Sequence, residues 1–308
     1  MLQKKINHTR IKTTMQLFSM MIPGLAYLLI NNYIPMAGII VAFKKFNYAK
    51  GIWESPWCGF KNFRFLFTTR DAFVITRNTL CYNIAFIILG TVLAVAVAII
   101  LNELTSRLMK KAYQTFILIP YLISMVVVSY IVYGFLSQDN GFLNNLLVHV
   151  FNMKKVSWYT EPKRWPYILT AVNLWKNFGY SSIIYYATVI GIDTALYEAA
   201  SIDGASKWKQ IGYITLPELR PTIIILVLLQ LGRVFYSDFG LFYQVPLNSG
   251  MLMDATNTID TYVYRGLTQL NDIGRASAAG FYQAVLGFVL ILTVNKLVRT
   301  IDKDSALF

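Results

Sequence analysis

Within an otherwise apolar run, Gln230, Arg233, Ser237 and Gln244 fall within about 60° of one another when turned at 100° per residue. A charge at bilayer depth costs about 2.5–3.5 kcal/mol on insertion scales, so a guanidinium there faces protein or water. Asp238 lies about 140° from Arg233 on the same wheel. The two therefore form no intrahelical pair, and each needs a partner elsewhere or a local break, which Gly240 permits. Asn173, Lys176, Asn177 and Tyr180, with Ser181 at the edge, make a second stripe, and Tyr130, Tyr133 and Ser137 a third. Amides and charges bind hydroxyls, and aromatic rings stack on the C–H faces of pyranoses, so such walls suit a pathway for a sugar. The same residues also serve as hydrogen-bonding glue between helices or as interfacial aromatics. The pathway reading is favoured for Arg233, Gln230 and Asn177.

Other chemistry is missing from the chain. His8 and His149 are its only histidines, and no His, Cys or carboxylate cluster has the spacing of a metal site or an activated nucleophile. Nor is there a Gly-x-x-x-x-Gly-Lys-Ser/Thr loop to cradle phosphates. The sequence predicts no catalytic residue, no metal and no cofactor on this chain.

The elements that must position these stripes follow from composition. Of 308 residues, 56% are hydrophobic and 14% charged, where a soluble domain has roughly a quarter charged. Long apolar runs exclude barrel strands, which alternate over about ten residues, and only helices or closed barrels satisfy the backbone in lipid. The fold class is therefore all-α membrane protein with six transmembrane helices, roughly 17–42, 77–101, 113–136, 165–191, 219–246 and 275–298. The chain reads as a single transmembrane domain over 1–308. It divides into a peripheral first helix and outer loop (1–76) and a core (77–298) that includes a loop at 192–220. Lys4, Lys5, Arg10 and Lys12 precede the first apolar run, whose length and lack of a cleavage site mark a retained helix.

Small residues at Gly90, Ala94 and Ala98, and at Gly280, Ala284 and Gly287, predict helix-packing seams. Pro23, Gly24 and Pro35 predict kinks in the first span. The aromatic segment 43–76 is expected along the outer interface, with a short amphipathic piece at 139–152 beside it. Cys58 and Cys81 fall in a loop and a span, which argues against a bridge. The excess of 28 Lys+Arg over 15 Asp+Glu suits anionic headgroups rather than nucleic acid.

Between the fourth and fifth runs lies a polar, helix-compatible insert. Glu198 sits near the front of one helix, Asp203-Gly204 is a turn signal, and Ala205 to Tyr213 can form a second amphipathic piece. Pro217 is expected to end that piece and Pro221 to open the next span. A rigid helix–turn–helix of this kind can transmit a rigid-body movement.

The pattern Glu198-Ala199-Ala200, then Asp203-Gly204-Ala205, then Leu216-Pro217 resembles the EAA loop of binding-protein-dependent ABC importer permeases. Residues 117–124, 237–245 and 259–265, with Tyr33 to Gly38 and Ile40 to Lys45, look like the LplB-type branch of carbohydrate-uptake permeases. The resemblance implies a type I ABC importer transmembrane domain (MetI/MalF-like) in a bacterial cell membrane, importing oligosaccharides. It implies that Glu198, Ala199, Ala200, Asp203, Gly204, Ala205, Leu216 and Pro217 couple to an ATPase. It also implies a second homologous permease as heterodimer partner, two ATPase subunits carrying ATP and Mg, and an extracellular lipid-anchored sugar-binding protein. Both termini are then cytoplasmic. The positive-inside count favours that orientation only modestly, because Lys44, Lys45, Lys50, Lys61, Arg64 and Arg70 crowd the opposite side. The expected solute pathway is Tyr130, Tyr133, Asn173, Lys176, Asn177, Tyr180, Gln230, Arg233, Ser237 and Asp238. Two alternatives stand beside this: an ion-coupled secondary transporter relaying through Arg233, Asp238 and Lys176, or an ABC permease for a non-sugar solute.

Overall fold

Leu, Ile, Val and Ala runs with few breakers give helices whose backbone groups are satisfied within the element, as an apolar surrounding demands. The computed structural model describes residues 2–301, with side-chain surroundings for 13–296 and 298–300. Among the described residues the chain is helical, with two isolated bridges, Lys44–Trp57 and Asn47–Gly51, in the first loop. The principal helices are α1 (Leu2–Leu28), α2 (Arg70–Glu103), α3 (Arg107–Leu122), α4 (Met125–Leu136) and α5 (Trp165–Val189). After them come α6 (Thr194–Ile202), α7 (Lys207–Leu231), α8 (Phe239–Gln244), α9 (Ile259–Thr268) and α10 (Ile273–Ile301).

Four helical stretches, Thr13–Phe43, Arg70–Glu103, Lys207–Leu231 and Ile273–Thr300, are long and apolar enough to cross a membrane. The third expected span is broken: α3 and α4 meet at 94° and qualify only as a pair. α5 is not among the helices apolar enough to qualify, but its 25 residues give about 37 Å at 1.5 Å each, long enough for a sixth span. Its polar stripe, not its length, sets it apart from the other four. Six spans of the expected order are thus compatible with the helices, with two corrections. The third is bent sharply at Ile123-Ser124, and the fifth ends at Leu231 rather than continuing to 246.

Two turns of π-helix, Leu29–Tyr33 and Ile211–Thr215, each end two residues before a proline, Pro35 and Pro217. A proline ring clashes with the carbonyl four residues back, and a widened turn moves that carbonyl aside. Pro217 therefore does not end the second limb of the insert as expected; it is accommodated, and helix continues through it to Leu231.

The packing core joins distant parts of the chain. Phe63 and Phe65 of the first loop are buried with Ile75, Ile259 and Ala278, so this segment is packed into the core and does not simply lie along an interface. Lys44, one of the cations that oppose the positive-inside count, is buried and donates to the Ile52 and Trp53 carbonyls at 2.9 and 2.7 Å. Ala94 and Ala98 pack on Tyr185, Val189 and Leu219, so the first small-residue seam joins α2, α5 and α7. Among the described residues the second closes only in part: Gly287 is buried with Tyr236 3.9 Å from a Cβ placed there, whereas a Cβ at Gly280 would meet nothing and Ala284 is exposed. At Gly179 a Cβ would lie 1.8 Å from the Ile117 carbonyl oxygen, which makes this glycine the crossing point of α5 and α3.

Candidate functional site

Three elements enclose a cavity of about 550 Å³. α2 supplies Asn83, Phe86, Gly90 and Thr91; α5 supplies Asn173, Asn177, Tyr180, Ser181 and Tyr185; α7 supplies Leu226, Leu229 and Gln230. Arg233 and Tyr236 complete it from the irregular stretch after α7. The structure thus brings together Asn173, Asn177, Tyr180, Gln230 and Arg233 from the sequence-derived pathway. Tyr180 also stacks on Tyr121 at 4.7 Å between centroids.

The remaining five lie elsewhere. Lys176 is buried, and its Nζ donates to the carbonyls of Pro120, Tyr121 and Ile123 at 3.3, 3.0 and 2.5 Å. A helix of four turns or more leaves its last carbonyls without partners and bears partial negative charge there, so an ammonium at that end satisfies both. Lys176 thereby holds the α3–α4 break instead of facing the cavity. Tyr130 and Tyr133 are exposed on α4, Tyr133 packing on Tyr159 at 5.7 Å. Ser237 donates from N and Oγ to Asp260, both at 2.7 Å, and its Oγ meets the Thr258 hydroxyl at 2.8 Å. The Asp238 carboxylate caps α8 by accepting from the Leu241 N–H at 3.1 Å.

The expected break near Gly240 spans residues 232–238. Its freed carbonyls find partners on neighbouring helices: Asn83 donates to Val234 and Tyr236 at 2.7 and 3.1 Å, and Gln283 donates to Phe235 at 2.7 Å. Gly240 itself is required by close approach, since a Cβ there would sit 2.8 Å from Met125 of α4. Sequence reasoning missed Asn83, Asp260 and Gln283. Asn78 and Asn83 lie about 140° apart on α2 and make no stripe, so periodicity gave no signal for them.

A second cavity, of about 510 Å³, lies between the start of α2, the start of α5 and Asp254, with Arg77, Cys81, Tyr82 and Lys163 among its lining. Of these, only Cys81 was named from sequence, and only as a residue placed in a span.

The insert is a helix–turn–helix. Asp193 caps α6 by accepting from the Ala195 N–H at 2.9 Å. Gly204 takes φ +75°, the left-handed conformation that favours glycine at a helix end. Buried Gln210 donates to Ser201 Oγ at 2.8 Å and to the Ala205 carbonyl at 3.3 Å, and the Tyr197 and Thr215 hydroxyls meet at 2.9 Å. Lys207 pairs with Glu103 at the end of α2 at 3.3 Å. Glu198, Ala199, Asp203, Gly204, Leu216 and Pro217 are exposed, with Ala200 and Ala205 half-buried. Beside them Ile202, Trp208 and Tyr213 are 87%, 83% and 82% exposed. A fixed hairpin thus presents a bare apolar patch. Its first limb follows α5 after four residues, and its second limb is the start of α7. Of the three cavity-lining helices, α7 therefore runs directly into the hairpin and α5 reaches it through a four-residue link.

Residues 74–303 match the family described as binding-protein-dependent transport system inner membrane component. Protein LplB of Bacillus subtilis (strain 168) is 32% identical over 291 residues, covering 94% of this chain and 90% of that protein. The polygalacturonan/rhamnogalacturonan transport system permease protein YteP of the same organism is 33% identical over 296 residues, covering 94% and 89%. A crystal structure of a bacterial ABC transporter involved in the import of the acidic polysaccharide alginate contains a chain 33% identical, with a TM-score of 0.86 over 96% of this chain and 98% of that one. A bacterial alginate ABC transporter in complex with an alginate pentasaccharide-bound periplasmic protein matches with a TM-score of 0.86 at 32% identity over the same shares.

Proposed function

The chain belongs to the family of binding-protein-dependent transport system inner membrane components, and we propose from that premise that it is the permease subunit of an ATP-driven importer of oligosaccharides. The observation that carries this reading is proximity along the chain: the second limb of the exposed hairpin at 194–215 is the start of α7, which bears Gln230, and the first limb follows α5, which bears Asn173 and Asn177, after four residues. Movement imposed on the hairpin must reach the cavity, because a helix resists bending along its axis and the Gln210 and Tyr197 bonds stop the limbs from sliding apart.

In this reading a separate ATPase subunit holds ATP and Mg and docks on Ile202, Trp208 and the Glu198–Ala205 turn, and no cofactor resides on this chain. Two ATPases serve two permeases, this chain and a second, homologous one, whose walls complete the cavity. ATP-driven closure of the ATPases pulls the hairpins, opens the cavity to the outside face, and admits oligosaccharide from a lipid-anchored binding protein. Hydrolysis resets it inward. Both termini then lie in the cytoplasm of a bacterial cell. Contacts with solute from Asn177, Tyr180, Gln230 and Arg233 must be individually modest, since a solute held tightly does not leave.

The test is purification of the tagged chain in mild detergent, identification of what accompanies it, and uptake after reconstitution. A second permease and an ATPase, with hydrolysis stimulated by sugar-loaded binding protein, support the assignment. Uptake by the chain alone, without ATP and abolished by a protonophore, contradicts it and favours an ion-coupled carrier.

A further inference from the structure

The second cavity opens on the opposite flank of α2 from the first: Arg77, Cys81 and Ala85 sit about 150° round the helix from Asn83, Ile87 and Gly90. It also lies at the end of α2 away from the hairpin, since Glu103 at the other end pairs with Lys207. Two cations line its mouth. Arg77 donates from Nε and Nη2 to Asn78 and from Nη2 to the Asp254 carbonyl, which leaves Nη1 unengaged among the described residues. The Lys163 ammonium makes no ion pair or hydrogen bond among them either. The carboxylate on the wall, Asp254, is matched by Arg70 at 3.4 Å, so it does not balance the other two cations.

Depth decides which anion suits that mouth. Residues 78–102 of α2 carry no charge, so Arg77 and Glu103 bracket the apolar stretch and Arg77 stands at headgroup level. From there the cavity reaches Ala85, about 12 Å along the helix and into a hydrocarbon layer about 30 Å thick. Cys81, Ile84, Ile88 and Val92 continue it as an exposed apolar ridge. A soluble anion or an acidic protein loop would engage the mouth but not an apolar floor at acyl depth. A phospholipid engages both. Its phosphodiester accepts charge-assisted hydrogen bonds from a guanidinium and an ammonium, and its acyl chain follows the ridge. A zwitterionic headgroup would bring its own cation to a mouth that already holds two, so the site favours a lipid of net negative charge.

We propose that the second cavity binds an anionic glycerophospholipid, with its phosphate on Arg77 and Lys163 and an acyl chain along Cys81, Ala85 and Ile88, joining the starts of α2 and α5. Only the leaflet rests on the importer assignment above: with the hairpin cytoplasmic, the lipid belongs to the outer leaflet.

Cys81 lines the cavity and is exposed, so it reports occupancy. The whole importer, carrying Cys58→Ser and purified through a tag on this chain, is delipidated in neutral detergent. The rate at which Cys81 takes up a maleimide is then read by peptide mass spectrometry. Dioleoylphosphatidylglycerol should slow that rate severalfold at a concentration where dioleoylphosphatidylcholine, glycerol phosphate and inorganic phosphate do not. Lys163→Gln removes a cation that holds nothing else in place and should raise the lipid concentration needed about fivefold, the worth of one cation beside an anionic headgroup. Lys163→Arg should restore it. Equal protection by phosphatidylcholine overturns the recognition of charge, and equal protection by glycerol phosphate or inorganic phosphate overturns the lipid. An unshifted response in Lys163→Gln contradicts the two-cation mouth. Cys81 that stays unreactive in the lipid-free complex means that a partner subunit covers the cavity, which also overturns the proposal. None of these results touches the importer assignment. That assignment fails on uptake without ATP, a result that leaves protection of Cys81 as it is.

Discussion

Asn83 donates from Nδ2 to the Val234 carbonyl at 2.7 Å, tying α2 to the unwound backbone one residue past Arg233. The same amide reaches the Tyr236 carbonyl at 3.1 Å. One side chain therefore fixes where α7 stops and how its last cation is offered to the cavity.

Replacing Asn83 with Ala leaves two carbonyls at bilayer depth short of a donor, a loss of about 1–3 kcal/mol each when buried. Transport should fall, and the detergent-solubilised protein should melt several degrees lower. Unchanged melting and transport in Asn83→Ala would show that the break is held by Gln283 alone.

Lys176→Met tests whether this lysine holds the α3–α4 break or meets solute. It removes the donor to three carbonyls, so thermal stability should drop by about 1–3 kcal/mol while KM in the surviving protein stays near wild type. A stable variant with a raised KM would return Lys176 to the solute pathway.

Two glycines on α2 and α5 should behave oppositely. Gly90→Ala places its Cβ 3.9 Å from Leu174, an ordinary contact, and helix propensity favours alanine by about 1 kcal/mol, so stability should hold or rise. Gly179→Ala drives a methyl into the Ile117 carbonyl oxygen and should cost at least about 3 kcal/mol. Expression level and melting temperature in detergent distinguish the two; equal behaviour would mean that α3 and α5 do not cross at Gly179.

Gln210→Ala loosens the hairpin without touching its exposed face, since Gln210 is buried and bonds to Ser201 and Ala205. The ATPase should still co-purify, while hydrolysis stimulated by binding protein falls severalfold. Loss of the ATPase from the purified complex would instead place Gln210 in the docking surface.

Much of the site was legible because helical phase survives along straight helices. Asn173, Asn177 and Tyr180 share a face of α5 and do share the cavity, and Gln230, on the last turn of α7, reaches it too. Phase fails where helices stop. Beyond Leu231 the wheel no longer describes Ser237 and Asp238, whose partners come from Asp260 and from the first turn of α8. Lys176 lies about 60° from Asn173 on the wheel but carries a long side chain beside the open end of α3, and a helix end offering bare carbonyls decides its direction. Pro217 reads as a stop in any helix, yet a preceding π turn absorbs it. Asn83 is a lone polar residue in an apolar run, with no periodic partner to announce it. The turn at Asp203-Gly204 was legible because it rests on one local rule, the left-handed φ that glycine alone takes without strain.

Whether the hairpin moves the cavity can be read from a single cysteine. With Cys58 and Cys81 replaced by Ser, Gln230→Cys is placed at the hairpin-linked wall of the cavity in the reconstituted importer, and its labelling by a membrane-impermeant maleimide from the outer face is followed. Labelling should rise several-fold when ATP is trapped on the ATPases. Adding Gly204→Val, which forces a β-branched residue to φ +75° at about 1–2 kcal/mol or more, should remove that rise while the chain remains in the membrane. Labelling that ignores ATP, or a rise that persists in full with Gly204→Val, would contradict coupling through residues 194–217.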